Sequence, residues 1–209
     1  MPVPDPGLGL ADVAYTALDV ETTGLSPERG DRIVSVAAVH VRQGRLERET
    51  SFTAVVNPDR PIPAASTRFH GITDEMIAAA PRIGAVLPRL REFAAGTVLV
   101  GHEIWLDLRF LASEAERSGL AGGGEQPALD TALLARALHP AAPRRDLDTL
   151  ARELGVPVVG RHTALGDATA AGEIFLRQMD ILVRRGVRTL GEALEACRVA
   201  GTGFFRRRP

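Results

Sequence analysis

The spacing of hydrophobic positions changes along this chain. Early on they fall in short runs. Ala14–Val20 is apolar up to an acidic end and is followed by Thr22-Thr23-Gly24, Arg32–Val41 (RIVSVAAVHV) is apolar and β-branched, and Leu46–Val56 roughly alternates. Runs of this kind predict three strands, the second and third paired as a hairpin across Gln43-Gly44. Asn57–Pro63 holds three prolines and can only be loop. Further on, the apolar positions recur every three or four residues. That spacing predicts helices over Thr73–Ala79 (with Thr73 as its cap), Ile83–Ala94, Ile104–Arg117, Thr131–Leu138, Leu147–Leu154, Asp167–Arg184 and Leu190–Ala200. Thr97–Val100 and the very short Ala128-Leu129 read as buried strands among them, and residues 119–127 as a flexible loop.

Hairpin-connected strands followed by alternating helices and strands describe an α/β domain with a mixed sheet, antiparallel on one side and parallel on the other. A length of 209 residues suits one such domain. The reading assigns residues 1–12, rich in Pro and Gly, to a loose tail, 13–186 to the domain, and 187–209 to a short helix and a basic tail ending in Arg206-Arg207-Arg208. A doubly wound dinucleotide-binding fold needs a glycine-rich turn after its first strand, and Asp19-Val20-Glu21 stands there instead.

Composition narrows the chemistry. The 25 basic and 26 acidic residues leave a net charge of −1, without the positive excess usual in free-standing nucleic-acid binders. Contact with a polyanion must then rest on local patches or on bound cations. Every basic residue is arginine, so lysine Schiff-base chemistry and a P-loop lysine are excluded. The single cysteine, Cys197, rules out an internal disulfide and a cysteine-based metal site. Met1–Leu10 lacks a basic region and a long apolar run, and no 18-residue apolar window follows, so a soluble, cytoplasmic protein with no membrane contact is expected.

Asp19 and Glu21 lie two residues apart at the end of a predicted strand, so their carboxylates point to one face. Like charges there repel unless a cation neutralises them or one takes a proton. A position beyond the strand end, in a solvated turn, is the other reading. Asp107 falls early in a helix after a strand, where an acid is favourable in any case. Asp167 opens the last long helix and by itself reads as an N-cap. His162 precedes it on a loop.

Together these segments are similar to the DEDDh-type 3′–5′ exonucleases, the family of the proofreading epsilon subunit of bacterial DNA polymerase III. Leu18-Asp19-Val20-Glu21-Thr22-Thr23-Gly24-Leu25 matches the first motif of that family. Gly101–Leu111 matches the second in its His102-to-Asp107 spacing and in Phe110-Leu111. His162–Asp167 matches the third, with its four-residue gap. Phe69-His70-Gly71-Ile72-Thr73 and Leu129-Asp130-Thr131 match as well, so the resemblance runs from about residue 13 to 185.

The resemblance implies an RNase H-like fold, a mixed five-stranded sheet flanked by helices. It also implies a two-cation site for Mg²⁺ or Mn²⁺. Asp19 would touch both ions, Glu21 and Asp167 would complete the first, and Asp107 would act partly through water. Hard oxygen ligands suit such cations. Two ions about 3.5–4 Å apart can bind the attacking and leaving oxygens of a phosphodiester. His162 would be the general base, imidazole being the side chain that titrates near neutral pH. Thr22, Thr23, Gly24 and Leu25 would cradle the terminal nucleotide, with Phe69 and His70 near its base or sugar and His102 facing a phosphate. For Phe69, core packing is an equally open reading.

The expected partner is the 3′ end of single-stranded DNA. RNA is an alternative, as in RNase T or oligoribonuclease. A third reading is a polymerase-docking subunit with weak activity, although no long segment of the kind by which epsilon subunits dock follows the domain. Gln178–Leu182 loosely resembles a sliding-clamp peptide but falls inside a predicted helix. The sequence departs from the pattern at Glu103, where the family usually has Asn, and at Leu106, where Phe is common. Glu103 places a negative group near the substrate path, points to solvent, or pairs with an arginine. Arg144-Arg145 and Arg206–Arg208 are candidates for phosphates further along the strand, or else a solvated surface. With aromatic residues at 4% of the chain, a short grip on one to three nucleotides is expected rather than a long stacking platform.

Overall fold

The computed structural model describes residues 3–120 and 126–205, with side chains through residue 202. Its sheet has five strands, β1 (Tyr15–Thr22), β2 (Ile33–Arg42), β3 (Arg45–Val55), β4 (Val98–Gly101) and β5 (Ala128–Asp130), in the order β3-β2-β1-β4-β5. β1 is central. It pairs antiparallel with β2 and parallel with β4, and β5 continues the parallel side. The mixed sheet expected from the order of elements is therefore present, built around the strand that carries Asp19 and Glu21.

Among the described residues, eight α-helices accompany the sheet: α1 (Ala64–His70), α2 (Asp74–Ile77), α3 (Ile83–Phe93), α4 (Trp105–Arg117), α5 (Thr131–Leu138), α6 (Leu147–Leu154), α7 (Ala164–Arg184) and α8 (Leu190–Phe205). The alternation of β1 decides which layer each of its residues meets. Tyr15 and Ala17 pack with Phe175, Met179 and Leu182 of α7, Leu134 of α5, and Ala193 and Cys197 of α8. Leu18 packs on the other face with Val86, Leu87 and Leu90 of α3 and Phe110 of α4. By the same alternation Asp19 and Glu21 continue the Tyr15–Ala17 row, toward α7. That helix lies close to the sheet at Gly172, where an added Cβ would meet Leu46 Cδ1 at 2.5 Å and Ala17 Cβ at 3.1 Å. Gln178 is buried in α7 and donates to the Thr131 carbonyl at 2.8 Å, so the segment resembling a clamp peptide is a packed helical face.

The structure corrects the expectation of a loose amino-terminal tail. Leu10 is buried, and its N–H donates to the Arg188 carbonyl at 2.9 Å. Tyr15 Oη donates to the Leu10 carbonyl at 2.8 Å, and the Leu190 and Gly191 amides bond the carbonyls of Leu8 and Pro6. Pro and Gly are common here because the segment turns, and backbone pairing with the start of α8 holds it in place. α8 is also longer than its predicted span, and Leu190, Ala193 and Cys197 lie in the main core, so a boundary at residue 186 runs through one shared core. The tail arginines 206–208 and most of the predicted 119–127 loop fall outside the described residues.

α1 lies outside the elements that the apolar spacing predicts. Its seven residues, AASTRFH, show no apolar stripe, and it ends on Gly71 at φ 73°. It is held from outside, with Ser66 Oγ donating to the Thr23 carbonyl at 2.9 Å. Between β2 and α4 lies a buried ion pair. Glu114 accepts from Arg32 Nε at 2.7 Å and Nη2 at 2.8 Å and from the Ile33 amide at 3.1 Å. Glu114 is buried while Arg32 reaches partial solvent. Arg32→Ala strands that carboxylate, and urea denaturation should show a loss of about 3 kcal/mol or more. A loss below about 1 kcal/mol, the usual worth of an exposed pair, would contradict this account.

Candidate active site

β1 extends through Thr22 and pairs Asp19 with Ala37 and Glu21 with Ser35, so both acids belong to the strand and not to a turn beyond it. The register shifts between Glu21 and Thr22, a bulge that ends regular pairing at the acidic end. α7 brings the third acid. Its N-cap is Thr163, whose Oγ1 accepts from the Gly166 amide at 3.1 Å, so the cap expected of Asp167 belongs to Thr163. Asp167 sits in the first turn and reaches Asp19 and Glu21 of β1. Gly166 lets that turn lie against the preceding loop: an added Cβ would lie 2.0 Å from the Gly160 carbonyl oxygen. Carboxylate oxygens of Asp19, Glu21 and Asp167 all fall within 4.8 Å of one another.

Asp107 arrives from α4 on the opposite layer. Its Oδ1 accepts from the Val20 amide at 3.0 Å, which fixes it beside Asp19. The electrostatics record this crowding. Burial, then the charges of Asp107, Asp167 and Glu21, hold Asp19 well above the usual carboxylate range. Burial and Asp167 push Glu21 up to about 7. Burial pushes Asp107 up to about 8. Burial also raises Asp167, opposed by Arg161 and by the His162 backbone and ring.

Arg161 had no signal in the sequence, being one arginine among many. Its guanidinium bonds Asp167 Oδ2 and reaches His162 Nδ1 at 3.3 Å, while its Nε donates to both oxygens of Asp148 in α6, at 3.0 and 3.1 Å. The other Asp167 oxygen, Oδ1, is buried with no hydrogen-bond partner among the described residues. His162 adopts φ +61°, a conformation rare for residues with a side chain and one that concentrates at functional sites. Phe69 meets its ring edge-on, with centroids 5.8 Å apart.

The remaining candidates divide into two sets. Leu25 is 74% exposed and Phe69 69%, so Phe69 is outside the core and both offer apolar surface. Thr22 Oγ1 donates to the Gly24 carbonyl at 2.5 Å. Thr23 is buried, its hydroxyl accepting from the Arg32 amide at 3.0 Å. His70 is buried and accepts from the Ile72 amide, and burial holds it below the ordinary imidazole value. His102 pairs through Nδ1 with Thr131 Oγ1 at 2.9 Å, and burial lowers it as well. These last three shape the loops through internal bonds. Glu103 takes the arginine-paired alternative, bonding Arg144 Nε at 2.5 Å, and Arg145 pairs with Glu153 at 2.5 Å. Glu103 stands at φ +57°, where Asn is tolerated better. Its amide donates to Asp130 Oδ1, the N-cap of α5, at 3.1 Å.

The RNase T exonuclease model matches residues 16–175, which include all the acids above and His162. The chain belongs to this exonuclease family. It is 44% identical, over 92% of its length, to a DNA polymerase III subunit epsilon-like protein of Rhodobacter capsulatus. It is 36% identical, over 85% of its length, to a PolC-type DNA polymerase III of Caldanaerobacter subterraneus. It spans 27% of the first relative and 12% of the second. Among solved structures, exonuclease X in complex with 5′-overhanging duplex DNA aligns with a TM-score of 0.64 and 25% identity, covering 88% of this chain and 99% of that one. Escherichia coli exonuclease I in complex with a dT13 oligonucleotide aligns with a TM-score of 0.69 and 18% identity, covering 83% and 42%. The fold of this exonuclease-family chain is thus RNase H-like. No helix among the described residues is long and apolar enough to cross a membrane.

The raised acids set a pH dependence. Their folded-state pKa values lie above those of the unfolded chain, so between about 4.5 and about 7 the folded form binds more protons, and stability falls as pH rises. In chelator, the melting temperature should therefore drop across this window, and Glu21→Gln should flatten the drop. A melting temperature that holds or rises, with no difference in the variant, would contradict the assigned crowding.

Proposed function

We propose that this chain is a 3′–5′ exonuclease that removes nucleotides from single-stranded DNA ends with two divalent cations, Mg²⁺ or Mn²⁺. The convergence of Asp19, Glu21 and Asp167 carries the reading, together with the buried Asp167 oxygen that has no hydrogen-bond partner among the described residues. A carboxylate trio in a buried setting suits a hard cation. Cations held there would make hydroxide available near neutral pH and relieve charge on both the attacking and leaving oxygens.

The roles of the protein groups follow from their positions. Asp19, on the central strand, would help to hold both cations, and Glu21 and Asp167 would complete the site of one of them. Asp107, anchored by the Val20 amide and outside the trio, would act through water. His162, beside Asp167 and facing the exposed edge of Phe69, accepts the proton of the attacking water. Leu25 and Phe69 provide apolar surface for a terminal base, while the loop held by Thr22, Thr23 and His70 offers its backbone to the last nucleotide. The Rhodobacter relative, at 44% identity, supports DNA as substrate and a DNA polymerase as partner, and the duplex-DNA complex of exonuclease X points to DNA in the same way. A cytoplasmic setting goes with that role.

End-labelled single-stranded DNA and RNA of one sequence, incubated with Mn²⁺ and with chelator, test this. The expected result is a ladder shortening from the 3′ end of DNA only when the cation is present. Digestion in chelator would overturn the mechanism, and a clear RNA preference would overturn the DNA assignment. Asp19→Ala or Asp167→Ala should abolish cleavage in folded protein. His162→Ala should slow it by about 10²–10⁴-fold with little change in DNA affinity; a loss of affinity at an unchanged rate would remove His162 from the base role.

A further inference from the structure

Resting on the metal-site reading above, we propose that Arg161 is the internal counter-cation of the acidic cluster. It is a positioning residue whose guanidinium occupies Asp167 and His162 in the cation-free chain and, held by Asp148, hands them over when a divalent cation binds.

Three features of the site support this. Arg161 brings a positive charge to the edge of the trio, where its Nη1 group bonds Asp167. It engages only one oxygen of Asp167, and the other is buried without a hydrogen-bond partner among the described residues, so Asp167 is half committed to arginine and half open to another ligand. An arginine can only donate, so its approach to His162 Nδ1 occupies a lone pair of the imidazole, the feature a general base needs. A guanidinium fixed in this place would compete with cation and water together.

Asp148 makes the competition reversible. Leu147, Leu150 and Ala151 of α6 pack against Ala170, Ala171 and Ile174 of α7, and this packing sets Asp148 beside Arg161. Its two oxygens both take Arg161 Nε, leaving the Nη1 group to reach Asp167 and His162. The arginine thus has one anchor outside the trio and one inside it. Losing the inner contact leaves its charge paired with Asp148, so the exchange does not strand a half-buried cation.

Isothermal titration of Mn²⁺ into the cation-free chain, together with melting temperatures with and without Mn²⁺, tests the proposal. Arg161→Gln removes the competing charge, so it should bind Mn²⁺ about tenfold more tightly, and its lower melting temperature in chelator should recover when Mn²⁺ is saturating. Asp148→Asn removes the outer anchor, turns the arginine toward Asp167 and should weaken Mn²⁺ binding. If Arg161 were merely a strut, Arg161→Gln would bind Mn²⁺ equally or less well and stay destabilised at saturation; either result overturns the proposal. Should Arg161→Gln fail to fold, Asp148→Asn decides alone, and unchanged or tighter binding overturns it. Wild-type chain that takes up no Mn²⁺ would instead overturn the metal-site reading on which the proposal rests.

Discussion

The structure is organised around an electrostatic conflict at the end of β1. Two acids two residues apart on a central strand must share a face, and that face is the one α7 covers. Asp167 and Asp107 are then brought up to the same place from opposite layers. Four carboxyl groups in so little water cannot all be charged without positive charge among them. Burial sets most of the shift in their protonation, and mutual repulsion adds to it. The packing that surrounds the site therefore works against the local charge, and a cation would relieve that strain.

Much of the remaining architecture keeps these groups close despite their repulsion. Gly172 lets α7 lie against Ala17, and Gly166 lets its first turn approach the Gly160 carbonyl. Thr163 caps the helix, so that Asp167 is directed to the cluster instead of being used on its own backbone. On the opposite layer, the Glu114–Arg32 pair fixes α4 against the start of β2, and the Val20 amide fixes Asp107. The unusual backbone at His162 and Glu103 falls at the two loops that enter the site, where strain is tolerated because neighbouring bonds hold it.

The sequence shows the skeleton of this arrangement and hides its joints. The period of the apolar residues places the five strands and most helices, because burying one face is what those segments do. The acids and His162 stand out because an Asp or Glu in an apolar strand needs a reason. α1 is invisible to that reading because no apolar stripe marks it and its neighbours hold it. The segment from Pro6 to Leu10 looks like tail because the backbone bonds that dock it go to Arg188, Leu190 and Gly191, far along the chain. Arg161 and Asp148 are ordinary residue types at ordinary spacings, and only the packing of α6 on α7 makes them partners. Phe69 and His70 are adjacent in one motif, yet one is exposed beside His162 and the other is buried under the loop; the turn of α1 separates them, and nothing in their spacing does.

Diffraction from crystals soaked in manganese, collected to record anomalous scattering, addresses the central claim most directly. Two anomalous peaks about 3.5–4 Å apart, with Asp19 reaching both and Glu21 and Asp167 on one of them, is the predicted result. A difference map with no peak among these carboxylates, in crystals where manganese is bound elsewhere or known to be present, would contradict the account.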